Sequence, residues 1–300
     1  MAHETGLAPA LRFSAYAAQP DDRLALDEGA LLLAEVAYPP RPHGPALRQL
    51  DALADAVRGE LGMAPGALLA AETTCERATA ERTLTALRAV LAERESFRGD
   101  TERYYDPRNC FLSEVLERRK GLPITLSALY IEVARRLGAP LVGVGLPAHF
   151  VAKWPLPEEE GGDLFIDAFS HAVIMDYATC RRFVLGLMSE QAGGPLVDAS
   201  WFAPVTTRAI LTRMLRNLKT IYLRKGDSAL ALAATDRLVT LRPDLAEELR
   251  DRGLLRLALG ETLLAAADLA AYAERAPHAP EISRLRKRLR EIRELSAKLN

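Results

Sequence analysis

Cysteine is scarce in this chain of 300 residues: Cys75, Cys110 and Cys180 are all there is. The number is odd, no two of them form a CxxC pair, and none stands at ligand spacing from a histidine. That excludes a disulfide framework and a zinc site, and it fits a reducing compartment. The five histidines, His3, His43, His149, His171 and His278, show no metal-ligand spacing, so neither a metal nor another cofactor is expected. No apolar run approaches the roughly 18 uninterrupted residues of a spanning helix. The N-terminal MAHETGLAPALRFSAYAAQ also lacks a basic segment leading into an apolar one. The expectation is a cytoplasmic protein with no membrane segment. A surplus of either charge is missing as well, with 39 Lys and Arg against 40 Asp and Glu. Phosphate neutralisation needs clustered positive charge, so no nucleic-acid partner is expected. The stretch from Arg284 to Arg293 is locally basic, but Glu291 and Glu294 interleave with it, as on a solvated helix face.

What remains is ordinary globular composition, 49% hydrophobic and 26% charged, in a chain long enough for two or three modest domains. Residues 1–22 contain no long periodic run and read as an irregular arm. Residues 23–100 read as a helical subdomain with three helices. The first begins at Asp27 and stops at Tyr38-Pro39-Pro40, the second covers about Pro45 to Leu61, and the third runs from about Arg77 to Glu95. Residues 101–205 change character. A short amphipathic helix from Asn109 to Lys120 is closed by Gly121, and Pro123 sits where a first-turn proline starts the next helix, which Gly138-Ala-Pro140 ends. Three β-like runs follow, Leu141–Leu146, His149–Trp154 and Leu164–Phe169, with the polar PLPEEEGGD as a hairpin loop between the last two.

Residues 206–300 return to helix, and here the sequence repeats. Gly226 and Gly260, Ala231 and Ala265, and Pro243 and Pro277 are each 34 residues apart. A 34-residue period of paired helices looks like tetratricopeptide repeats. In the second copy Gly253 falls where that motif wants a small residue for close helix crossing; in the first, Lys219 stands there. Two copies fall short of the usual minimum of about three, so flanking helices, from Arg208 and from Pro280 onward, must cap the stack or pack on the central domain. Such a surface implies another protein or a peptide as partner.

One constellation in the centre could carry chemistry. Papain-type catalysis needs a cysteine at a helix start, a histidine on a strand to take its proton and an acid to orient that histidine. His149 and Asp167 supply the last two if they oppose each other across the hairpin, in a register centred on residue 158, because directly opposed residues share a face of the sheet.

At this point a resemblance is visible. Arg103-Tyr-Tyr-Asp-Pro-Arg-Asn109, FLSEVLERRKGLPITL from Phe111 to Leu126, Val144-Gly-Leu-Pro-Ala-His-Phe150, Phe165-Ile-Asp-Ala-Phe169 and Leu211-Thr-Arg-Met-Leu-Arg-Asn-Leu-Lys219 resemble the bacterial SirB-type transglutaminase-like family. The resemblance implies an α+β, mostly helical fold. Its papain- or transglutaminase-like central helix and small antiparallel sheet are flanked by an N-terminal helical subdomain and C-terminal tetratricopeptide-like repeats. It matches His149 and Asp167 to the transglutaminase histidine and aspartate, and it puts the nucleophile position at Ile124 or, with a one-residue shift, at Thr125. Isoleucine cannot attack a carbonyl. A helix dipole favours an anion by only about 0.3–1 kcal/mol, up to about 2, far short of ionising a threonine hydroxyl. Ser127, one turn into that helix, reads as structural. Two functions follow as expectations. The first is a non-catalytic regulatory or scaffold protein with a degenerate His149–Asp167 dyad and a partner-binding repeat tail. The alternative is a thiol amidase, peptidase or acyl-transferase using Cys110 with His149 and Asp167, with Asn109 or a backbone N–H at the oxyanion.

Overall fold

The structure, a computed structural model, describes residues 9–189, 198–285 and 287; His3 and most of the basic stretch from Arg284 to Arg293 lie outside them. In chain order the helices begin with α1 (Pro9–Ala17), α2 (Leu26–Leu32), α3 (Gly44–Glu60), α4 (Arg77–Leu87), α5 (Leu112–Arg118) and α6 (Pro123–Arg136). They continue with α7 (Tyr177–Ser189), α8 (Thr207–Arg224), α9 (Ser228–Leu241), α10 (Ala246–Ala258) and α11 (Thr262–Arg275). The strands are β1 (Arg98–Gly99), β2 (Lys120–Gly121), β3 (Val142–Val144), β4 (Val151–Trp154), β5 (Leu164–Asp167), β6 (Val173–Asp176) and β7 (Pro204–Val205). The fold is therefore α+β and mostly helical, as expected. Among the described residues no helix is long and apolar enough to cross a membrane.

The chain divides into two compact units, one of residues 21–35 and 39–214, the other of residues 1–20, 36–38 and 215–300. Residues 23–100 and 101–205, expected as separate domains, thus fall almost wholly in one unit. Its centre is α6, whose residues from Pro123 to Ala134 are all buried. A helix apolar on every side has to be enclosed, and α2, α3, α5, β3 and β4 all pack on α6. Its polar end is neutralised internally. Arg136 reaches Asp27 at 2.7 Å, Glu132 at 2.8 Å and Asp51 at 2.7 Å, which ties α2 and α3 to the end of α6. The five-stranded sheet has the order β6-β5-β4-β3-β7 and is antiparallel throughout; β6 and β7 were not anticipated. A core of Val144, Leu146, Val151, Phe165 and Met175 meets Cys180, Val184 and Phe202, so α7 covers one face of the sheet.

Several expectations need correction. Residues 9–17 of the expected irregular arm form α1, whose Phe13, Tyr16 and Ala17 are buried and which packs on α9, where Arg237 lies over the Phe13 ring at 5.1 Å. One short apolar stripe at i, i+3, i+4 is too brief for periodicity to stand out, and such a helix is stable only through its tertiary contacts. The third expected helix changes to π-helical geometry from Arg88 to Arg94. The helix after Asn109 is α5 alone, preceded by a 3-10 turn from Pro107 to Cys110, and Arg119 in the left-handed region (φ 61°), not Gly121, ends it.

In the second unit the 34-residue spacing is structural. Gly226 (φ 74°) and Gly260 (φ 82°) both take left-handed backbone between paired helices, and Ala231 and Ala265 are both fully buried. A Cβ at Gly253 would lie 2.7 Å from Leu269 Cγ, so α10 and α11 cross closely there. Lys219, the departure in the first copy, is buried with its ammonium on Glu248 and Asp251, both at 2.7 Å.

Candidate functional site

The turn before β4 sets the site. Ala148 has φ 55°, a conformation costly for a residue with a Cβ, and it is clamped from behind. Arg213 Nη2 donates to the carbonyls of Leu146 (3.1 Å) and His149 (2.7 Å), and its guanidinium lies over Phe150 at 5.6 Å. Burial pushes the Arg213 pKa below the ordinary arginine value, with Tyr104 acting against that. Arg213 is absent from the residues singled out on sequence. Its signal was an arginine inside an otherwise amphipathic helix start, within the family-like Leu211–Lys219 run.

His149 and Asp167 are brought together, with Nε2 of the ring 2.9 Å from Asp167 Oδ2. The route differs from the expected one. The β4–β5 register pairs Ala152 with Ile166 and Lys153 with Phe165, so it is centred on residue 159, not 158, and Asp167 comes opposite Val151. His149 precedes the strand and reaches Asp167 as a diagonal neighbour, which still shares its face. A loop with a 3-10 turn at Glu158–Glu160 and left-handed Gly161 and Gly162 accommodates the extra step.

The pair is enclosed. His149 is 9% exposed, and the edges of Phe169 and Phe183 meet its ring at centroid distances of 6.1 and 5.1 Å. Asp167 Oδ1 accepts the N–H groups of Phe169 (3.0 Å) and Ser170 (3.3 Å). Burial raises the Asp167 pKa, but the hydrogen bond and charge of His149, with the Ser170 bonds, outweigh it and hold the carboxyl below the usual carboxylate range.

The candidate nucleophiles are placed less favourably. Ser127 Oγ donates to the Phe150 carbonyl at 3.4 Å, which turns that face of α6 toward the start of β4. At about 100° per residue, Ile124 lies about 60° from Ser127 around the helix and Thr125 about 160° from it. Ile124, on the near face, is 2% exposed and has no ionisable atom. Thr125 is fully buried, and its hydroxyl has no hydrogen-bond partner. Cys110 ends the 3-10 turn before α5, is 2% exposed and makes no hydrogen bond with His149, whose ring bonds Asp167. Burial, helped by Asp106, pushes its thiol far up, the opposite of an activated cysteine. Asn109 is committed elsewhere, donating to Arg103 O (2.8 Å) and accepting from Arg118 (3.1 Å). Cys180 on α7 is pushed up to about 12 by burial and then by Asp167. Among the described residues no group of His, Cys, Asp and Glu could hold a metal ion.

A buried histidine–aspartate pair at a β-hairpin, behind a wholly buried helix, is the frame of a transglutaminase-like core. The model of the transglutaminase-like superfamily matches residues 45–216, and a tetratricopeptide-repeat model matches residues 218–290. The chain belongs to the transglutaminase-like superfamily and carries tetratricopeptide repeats after that core. A UPF0162 protein of Xylella fastidiosa is 36% identical over 203 residues, covering 68% of this chain and 71% of the relative. A UPF0162 protein of Vibrio cholerae is 32% identical over 186 residues, 61% of this chain and 66% of the relative. F-box only protein 21 of Homo sapiens is 33% identical over 149 residues, which make up 48% of this chain but only 22% of that protein. No solved structure matches the chain. The resemblance drawn from the sequence is borne out, and none of these names states a reaction.

Proposed function

We propose that this is a non-catalytic regulatory or scaffold protein of the cytoplasm, with a transglutaminase-like core that has no nucleophile and repeats that bind another protein or a peptide. The start of α6 carries the reading. Family likeness puts the nucleophile position at Ile124, which has no ionisable atom, and the Ser127 hydroxyl one turn on is engaged with the Phe150 carbonyl; both support a His149–Asp167 pair with nothing to activate. A buried Cys110 with a raised pKa weighs against the thiol-enzyme alternative, since only a thiolate attacks. Tetratricopeptide repeats generally mediate protein–protein interaction, which supports a partner for residues 218–290. The free state of all three cysteines supports a reducing compartment.

The experiment assays the full chain on thioester and peptide-amide substrates beside four variants. Wild type should release no more product than His149→Ala; turnover abolished by both Cys110→Ser and His149→Ala would replace this reading with the thiol enzyme. Ile124→Cys tests the geometry. Its new thiol should be alkylated at about pH 7 much faster than Cys110 and slow down again when His149→Ala is added, because a neighbouring imidazole favours the thiolate. Equal rates with and without His149 would mean that position 124 does not face the dyad.

A further inference from the structure

Beside Phe169 the same compact unit holds a cavity of about 350 Å³ whose walls include Arg98, Thr101, Lys120, Phe169, Ser170 and His171. The size is at the small end of ligand pockets. Its charge arrangement is unusual. In the parallel pairing of β1 with β2, Arg98 is the register partner of Lys120, and like charges placed side by side on neighbouring strands repel. Arg98 is exposed and has no carboxylate partner among the described residues, while Lys120 has only a loose one, Glu102 at 3.8 Å, whose side chain is 81% exposed. The other acid in the wall, Asp100, is already neutralised: it is buried, faces Arg118 at 3.4 Å and accepts the Arg103 N–H at 3.1 Å. Positive charge is therefore left over at this opening in a chain that is otherwise balanced.

The third wall is built to hold its shape. His171 (φ 55°) and Ala172 (φ 53°) are consecutive non-glycine residues in the left-handed region, a strained arrangement that persists only where its surroundings impose it. Asp167 imposes it from one end through its bonds to the Phe169 and Ser170 N–H groups. From the other, Gly99 N donates to Phe169 O at 3.1 Å, and a Cβ on Gly99 would sit 2.6 Å from the Phe169 ring. Strand, turn and dyad thus form one braced body, and Arg98, Lys120, His171 and Thr101 are the residues with donor side chains free of the dyad that line the opening. Planar guanidinium and point-charge ammonium together suit the several acceptor oxygens of a phosphate better than a single carboxylate.

We propose that this cavity is a binding site for a small phosphate, free or as a monoester, held between Arg98 and Lys120 with His171 and Thr101 as further donors. The apolar ring of Phe169 forms the floor, and the same ring touches His149, so occupancy is sensed at the dyad. His149 and Asp167 then keep a use that needs no nucleophile: they position the turn that shapes the site. The site is independent of whether the core is catalytic, and its failure would leave that reading untouched.

The test is a titration of the full chain followed by ¹H–¹⁵N NMR at about pH 7.5, where a phosphate monoester is mainly the dianion, with ionic strength held constant by sodium chloride. Inorganic phosphate and O-phosphoserine are the two probes. We expect saturable shifts at the Gly99, Ser170 and His171 amides and smaller ones at His149, with affinity falling about tenfold or more in Arg98→Ala/Lys120→Ala. Tighter binding of O-phosphoserine than of phosphate would assign the site to esters, and the reverse order to the free ion. Shifts that never saturate, or saturable shifts that the double variant leaves unchanged, would overturn the proposal. Should the double variant lose its folded spectrum, Arg98→Ala alone carries the test, because that exposed side chain ties nothing together.

Discussion

The His149–Asp167 bond is kept at 2.9 Å inside the protein. Stability is one reason to keep it. His149→Ala would leave the Asp167 carboxylate buried with donors from Phe169 and Ser170 alone, and losing a buried bond to a charged group costs about 2–3 kcal/mol. A urea midpoint at neutral pH measures that loss; a change under 0.5 kcal/mol would mean that the pair contributes nothing to folding. The sign of the pH dependence follows from the depressed Asp167 pKa. In the unfolded chain an aspartate titrates near about 3.9. The stabilisation from Asp167 is thus fully present above that value and lost as pH falls through the lower folded one. The difference in stability between wild type and His149→Ala should shrink under acid, below about pH 4.

Elements show where the sequence was legible. Helices α3, α6 and the start of α4 lie where capping and punctuation put them, because Pro123, Gly62 and Gly138 act locally on the backbone. The repeat was legible from its period alone. Invisible were features decided by tertiary contact: α1, whose stripe of Phe13, Tyr16 and Ala17 needs α9 to cover it, and the edge strands β6 and β7. So was the one-residue change of register centre, which the turn at Glu158–Gly162 decides. Family likeness supplied His149 and Asp167; the clamp by Arg213 and the ring contacts of Phe169 and Phe183 arise only once the chain is folded. Two substitutions test the elements. Thr125→Val in α6 removes a buried hydroxyl that lacks a partner and keeps the volume, so it should leave stability unchanged or raise it by about 1 kcal/mol. A fall of that size in the denaturation midpoint would mean the hydroxyl is satisfied by a bound water. Gly253→Val in α10 adds a Cβ only 2.7 Å from Leu269 Cγ and 2.9 Å from its Cδ2. Overpacking of this kind costs about 1–3 kcal/mol, and faster amide hydrogen exchange in α10 and α11 should report it; unchanged exchange there would show that the helices separate at no cost.

Over the whole molecule, charge is abundant but spent in pairs. With 39 basic and 40 acidic residues, a strong field of one sign could arise only by segregation, and among the described residues opposite charges are brought together. Arg136 is shared by Asp27, Asp51 and Glu132, Lys219 by Glu248 and Asp251, and Asp268 by Arg252 (2.6 Å) and Arg256 (2.7 Å). Partly buried pairs like these are screened little by salt, and each removes a cation from the supply that a polyanion could use. Non-specific DNA binders reach dissociation constants of about 10⁻⁴–10⁻⁶ M at physiological salt by neutralising several phosphates at once. Among the described residues these cations are held by carboxylates, and Arg98 and Lys120 stand side by side at one small opening. The full chain should therefore give no anisotropy change with a labelled duplex at about 0.15 M salt, at protein concentrations up to roughly 10⁻⁵ M. It should bind no more tightly when salt is lowered threefold than counter-ion release at one phosphate allows, a slope near about −1 in log affinity against log salt. A slope of several units would reveal a basic surface that these pairings do not leave, and would reopen nucleic acid as a partner.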